Sequence, residues 1–373
     1  MKSFKMFLLG SALLILGLPV CVWGAPAGAK ATGANLPKYQ KVVVRKVDVS
    51  TENSFSTSMK NYLEEAAKKA DQNTQYKIVI PPGTYKARYW QTVPSNTWIY
   101  AKGATIRAIK GKKRMVLLSN QGDSAGENIK IEGGVWDTTT QNKSDSPVTA
   151  PFRFAHVKNL VFENVTIKAN RYAHLIEVSD IQGLTIRNCS LSGNDYEYQL
   201  QPKEAIQLDV ATKEAMPNMT PYNGKGCHNA VIENNRFNRV ARGVGSHNSE
   251  VGAEKDPYTN VIVRNNVFKN LKGEAVFIKW WKYCTVDKNT VENGKHAGIY
   301  IQSGWKLKVT NNAVKKISSF SGARRKEYGA DRAGVFLQKG TDNQFWHNKI
   351  SGFKGKTVSI KSSKTCKRNS IKK

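Results

Sequence analysis

From Arg153 to the C-terminus the chain repeats a unit of roughly two dozen residues. A β-rich run closing on asparagine, as in LVFENV (160–165), AVIENNRF (230–237), VIVRNNVF (261–268), CTVDKNTV (284–291) and LKVTNNAV (307–314), alternates with a second short strand. The second strands include AIQLDV (205–210), AVFIK (275–279), GIYIQ (298–302) and GVFLQ (334–338). A fixed period of this kind marks a solenoid, in which each coil buries its apolar face against the next. Because a solenoid grows in one dimension, length alone does not force a division into several domains. The repeat therefore predicts an all-β solenoid as one domain over residues 41–373.

The first 27 residues read as an export signal: Lys2 and Lys5, an apolar core, then small residues at Gly24, Ala25 and Ala27. No later stretch approaches the ~20 apolar residues of a membrane span. The expectation is an exported chain, secreted or held at the cell surface, with no transmembrane anchor. Residues 28–40, rich in Gly, Ala and Pro, read as a linker. Cys189, Cys227, Cys284 and Cys366 remain after the signal, three of them beside asparagine runs, and are expected as free buried thiols. Their spacing offers no metal site, and no nucleotide-binding or zinc motif occurs, so neither metal nor cofactor is expected.

The net charge of +30 predicts a positive field that attracts polyanions. For an exported protein these are uronic-acid polysaccharides, teichoic acids or anionic headgroups rather than nucleic acid as a physiological partner. The chain is expected to act as a monomer.

A helix is predicted over 54–72, capped near Ser56 to Ser58, with Met59, Leu63, Ala66, Ala67 and Ala70 facing the open end of the solenoid. Short strands follow at VIPPGTY (79–85), SNTWIY (95–100) and GATIRA (103–108). These segments, with the coil repeats behind them, resemble the pectate-lyase-like right-handed parallel β-helix proteins. The resemblance covers almost all of the mature chain. It implies a right-handed coil and a carbohydrate partner, in a superfamily of hydrolases, lyases, epimerases and binding proteins.

In that fold Asn164, Asn188, Asn235, Asn266, Asn289, Asn312 and Asn348 are expected to stack at buried corners as a ladder. Insertions at 138–152, 193–203, 211–229, 248–259 and 318–332 are expected to raise walls around one face.

Alternation in AIQLDV turns Gln207 and Asp209 outward. Applied coil by coil, it predicts a solvent-facing column of Glu177, Asp209, His247, Lys279, Gln302, Gln338 and Lys361. Gln207, Gly245 and Tyr300 stand in a parallel column, and Gly243 and Gly245 leave room above the sheet. Trp280, Trp281, Tyr300 and Trp305 offer aromatic rims for sugar rings. Glu204 and Arg242 stand at equivalent strand entrances. This is similar to polygalacturonase-type hydrolases, where Glu204 would take the place of an acid, Arg242 that of a histidine, and Lys279 matches the closing lysine. Phe277 stands where those enzymes carry arginine.

The implied chemistry is cleavage of an acidic glycan, with hydrolysis favoured over β-elimination. Asp209 with Glu204 or Glu177 would divide the acid and base roles, and His247 would relay a proton. Lys279, Arg242 and Gln207 would hold the substrate. The alternative is a cell-wall or host-glycan binding β-helix without catalysis, in which the column is a stabilising charge ladder.

Overall fold

The computed structural model describes residues 31–87, 91–108, 118–120, 126–139, 150–168, 174–194, 203–246, 255–322, 325–326 and 331–372. The predicted signal segment and His247 lie outside them.

The described strands pair in parallel and stack into a β-helix with three faces. The first face holds Glu204–Asp209, Arg242–Ser246, Ala333–Leu337 and Lys356–Ile360. Phe152–Glu163 and Ile176–Arg187 start on it and bend into the second face. The second face continues through His228–Glu233, Tyr258–Arg264 and Lys308–Thr310. The third face is a ladder of short strands from Gly83–Ala87 to Lys349–Ser351. Alternate apolar residues of all three faces point inward, and rings such as Phe237 and Phe268 stack coil on coil at 4.5 Å.

Each coil changes direction on a residue with left-handed backbone. One corner column runs Asn96, Asn128, Asn159, Gly183, Asn229, Asn260, Tyr283, Lys306, Asp342 and Arg368. Apart from Gly183 at 88°, its φ values lie between 52 and 62°. A second runs Gly133, Asn164, Asn188, Asn234, Asn265, Lys288, Asn311 and His347. Asparagine tolerates this conformation better than other residues with a Cβ, which explains its recurrence.

That geometry shifts the expected asparagine ladder. Asn164 and Asn188 occupy the left-handed corner itself and are exposed, while Val165 and Cys189 take the buried place beside it. The ladder proper is Asn235, Asn266, Asn289, Asn312 and Asn348, each buried, with amide-to-amide bonds of 2.9–3.0 Å. Cys189 opens it by donating its backbone N–H to Asn235 Oδ1. The four cysteines are free and buried, and burial pushes the Cys189 and Cys284 thiols up to about 12.

Two N-terminal expectations also change. The helix is Glu52–Lys69, starting earlier than read, because Thr51 and Ser54 form a reciprocal capping box. Phe55, Met59, Leu63 and Ala66 are its buried stripe, and Ala67 is exposed. Residues 32–39 are a packed strap rather than a linker with nothing to pack. Ala34 donates its N–H to Thr185 Oγ1 at 3.0 Å, Asn35 to Asn159 Oδ1 at 3.0 Å, and Asn229 Nδ2 donates to the Gly33 carbonyl at 3.0 Å. Gly183 makes room for it, since a Cβ there would meet the Gly33 carbonyl oxygen at 3.2 Å.

Asn266→Ala should lower unfolding free energy by about 1–3 kcal/mol, because it strands buried ladder groups. Asn188→Gly, at an exposed left-handed corner, should change it by less than about 1 kcal/mol. Urea unfolding checks the pair, and equal losses would contradict this division between ladder and corner.

Candidate functional site

The first face keeps Gln207, Gly245 and Tyr300 in one column as expected, but Glu177 joins that column instead of the one through Asp209. Ile176 pairs with Ile206, so Glu177 lies beside Gln207, and Ser179 beside Asp209. The outward column is Arg153, Glu177, Gln207, Gly245, Phe277, Tyr300, Phe336 and Ser359. Alternation fixes which face a side chain takes, but a two-residue slip preserves that parity, so the slip was invisible to pattern alone.

Neither Gln207 in this column nor Asp209 beside it faces water. Gln207 and Asp209 are 3% and 1% exposed. The Gln207 amide donates to Asp209 Oδ2, and the Val210 N–H donates to Oδ1 at 2.9 Å. The glycines leave no gap either: Glu204 Cγ lies 2.7 Å from where a Cβ on Gly245 would stand, and the Phe268 ring blocks Gly243. Tyr300, expected as a sugar platform, packs between Phe277 and Phe336 and donates its hydroxyl to Gln338.

Two insertions expected as walls act as roofs. The 211–224 segment folds back over the early coils, where Met216 and Met219 pack on Ala155. Arg153 donates to the Pro217 carbonyl at 2.8 Å and to Glu177 at 2.8 Å. The segment is latched by Asp180, which takes His156 Nδ1 and Asn223 Nδ2, each at 2.7 Å. Burial opposes the charge on both members of the His156–Asp180 pair. Their mutual bond and attraction, together with the Met219 carbonyl on the imidazole and the Asn223 amide on the carboxyl, outweigh it, raising the imidazole and lowering the carboxyl. Farther along, Phe320 from the other insertion stacks on His296, which in turn lies against Tyr300 and Phe336.

The strand-entrance residues form a buried ion chain. Arg242 donates through Nε to Glu274 at 2.7 Å and through Nη1 to Glu204 at 3.3 Å, while His296 Nδ1 meets Glu274 at 3.0 Å. The Arg242 guanidinium also sits 3.9 Å from the Phe277 ring centre. Burial pushes the Glu274 carboxyl up, but Arg242 and His296 outweigh it and hold it below its usual value. Arg242 was expected to grip a substrate anion. Its surroundings instead commit it to Glu204 and Glu274, which with Arg242 itself are buried.

Of the four expected aromatic contacts, Trp281 is core: it is buried and its indole N–H donates to Ser246 Oγ at 2.9 Å. The cause is the corner between the first and second faces, which falls at Trp280 as it does at His156 and Asp180 in earlier coils and reverses the alternation. Trp280 occupies that corner with φ 62° and is held by its N–H bond to Ser303 Oγ at 2.9 Å. It turns outward, half-buried, against half-buried Trp305, with ring centres 5.2 Å apart. These rings line a cleft of about 330 Å³ with Lys282, Lys306 and Asp342. Lysines flanking the tryptophans in KWWK (279–282) and WK (305–306) are the sequence signal for this cleft. Lys279, half-buried, stays on the first face beside Ser303.

Among the described residues no group of three or more His, Cys, Asp or Glu is placed to hold a metal, and no helix is long and apolar enough to cross a membrane.

Residues 225–372 match the right-handed β-helix region family. A 160-residue segment is 22% identical to the plasmin and fibronectin-binding protein A of Streptococcus pneumoniae, covering 39% of this chain and 22% of that protein's length. The structure is similar to that of PfbA, described as a surface adhesin of Streptococcus pneumoniae. The TM-score is 0.61 at 16% identity, over 85% of this chain and 87% of the other. It is also similar to an exopolygalacturonase of Thermotoga maritima, with TM-score 0.50 and 14% identity over 91% and 94% of the two chains. The fold is a right-handed parallel β-helix.

Arg242→Met should lower stability by about 3–5 kcal/mol, because it leaves two buried carboxylates without their guanidinium. Chemical unfolding checks this, and a loss below about 1 kcal/mol would contradict the structural reading of the ion chain.

Proposed function

We propose that the chain is a non-catalytic, cell-surface or secreted β-helix that binds anionic glycans, in the manner of an adhesin. The observation that carries this reading is the state of its carboxylates. Glu204, Asp209 and Glu274 are buried, and Glu177 is held by Arg153 beside the 211–224 roof. A general acid or base must come within about 2.6–3.2 Å of the proton it moves. Cleavage by Asp209 with Glu204 or Glu177 would therefore require a buried Asp209 to reach the substrate and the Glu204–Arg242 or Glu177–Arg153 pair to part.

Charge supports binding directly. With 58 Lys and Arg against 28 Asp and Glu, the basic side chains cannot each have an acid of their own. On the second face the acids are already engaged. Glu163 takes Lys130 at 2.9 Å and Arg187 at 2.8 Å, and Glu233 takes Arg264 at 2.7 Å. Such surface pairs stabilise the fold by only about 0–1 kcal/mol each. They leave the uncompensated lysines to set the outer field. The likeness to PfbA, a surface adhesin by its description, accords with this reading.

Affinity for immobilised heparin should fall at least about tenfold between 50 and 500 mM sodium chloride, because exposed charge attraction is screened over a Debye length of ~8 Å at physiological ionic strength. Surface plasmon resonance measures it. Salt-independent binding, or none at low salt, would contradict the proposal.

A further inference from the structure

Building on the reading that the chain binds anionic glycans, we infer that the cleft formed by Trp280, Trp305, Lys282 and Lys306 seats one ring of such a glycan, a sugar bearing a sulfate or carboxylate. The cleft is built rather than incidental. Trp280 takes the left-handed corner between the first and second faces, as His156 and Asp180 do in earlier coils, and its N–H is pinned by Ser303. The effect of the corner here is to bring Trp280 out of the core and tilt it 33° from Trp305, giving a two-indole platform. The C–H face of a sugar stacks on such a platform, and the volume of about 330 Å³ lies at the low end of ligand pockets, about 300–1,000 Å³.

The rim selects charge. Lys282 and Lys306 stand in successive coils, their ammonium groups 5.3 and 5.0 Å from the Tyr283 ring centre, and Lys339 Nζ lies 5.8 Å from that of Trp280. Among the described residues none of these three lysines enters an ion pair. Asp342 also lines the cleft, but Arg368 clamps it with bonds of 2.6 and 2.8 Å, which offsets its repulsion of an anion. A peptide adding as a strand would need a free sheet edge. Val276–Lys282 has none, since it pairs with Ala297–Trp305 on one side and with Arg242–Ser246 and Tyr258–Arg264 on the other.

Calorimetry at fixed salt tests the site on the full chain, with a heparin-derived hexasaccharide, a hyaluronan hexasaccharide, polyphosphate and polyglutamate as probes. The two sugars distinguish sulfate from carboxylate. Trp280→Asn, which suits the left-handed backbone, and Trp305→Ala should each weaken binding of a charged hexasaccharide by at least about tenfold, leaving polyphosphate within about twofold. Lys282→Gln combined with Lys306→Gln leaves the indole packing in place and should weaken the same sugar by at least about fivefold. Hexasaccharide affinity unchanged in the tryptophan variants and in the lysine pair would overturn the site. So would polyglutamate binding with the same tryptophan dependence. In either case the broader reading stands as long as the wild-type chain binds heparin. Absence of wild-type binding to every sugar probe would overturn both.

Discussion

Every coil of this helix turns on single residues held in left-handed backbone, and the alignment of those corners sets everything else. Because Asn128, Asn159, Gly183 and Asn229 follow one another in a column, the strands between corners stay in register and their apolar residues meet coil on coil. The corners also decide which side chains are buried beside them. The residue after the second corner turns inward, which is why Asn235, Asn266 and Asn289 build a hydrogen-bonded ladder while Asn188 faces solvent. The same mechanism, at the corner between the first and second faces, turns Trp280 outward and sends Trp281 into the core.

The fate of the acidic residues links fold to function. A solenoid face offers long columns in which unlike charges fall opposite each other, and here those columns draw in the carboxylates. Glu163 and Glu233 are engaged on the second face, Glu177 under the 211–224 roof, and Glu204 and Glu274 around Arg242. A group committed to a buried guanidinium cannot shuttle a proton to a substrate without leaving that partner exposed to the cost of an unpaired buried charge. Basic side chains outnumber acidic ones 58 to 28, so many lysines are left without a carboxylate of their own.

Much of the fold was legible because repetition reports itself. The asparagine runs, the second strands and the capping helix could be read from the chain, as could the buried free cysteines. The site was legible only in part. Alternation gave the correct parity for Gln207 and Asp209 and the column of Gln207, Gly245 and Tyr300, but it set Glu177 beside Asp209 instead of Gln207, since a two-residue slip leaves parity intact. The corner at Trp280 breaks alternation locally, so Trp281 was misassigned. The roof was unreadable for a different reason: Arg153 meets the Pro217 carbonyl across 64 residues of chain, through a loop that shares no pattern with the coils. Nor does composition reveal that Gly183 exists to let the 32–39 strap pass.

Binding without cleavage is tested most directly by incubating the full chain with pectate, alginate, hyaluronan, heparin and neutral polysaccharides, and following reducing ends, unsaturated uronate absorbance and retention of the glycan together. The carboxylate arrangement predicts retention of at least one acidic glycan with neither new reducing ends nor unsaturated product. Sustained release of either product from a bound glycan, lost in Asp209→Asn, would contradict it.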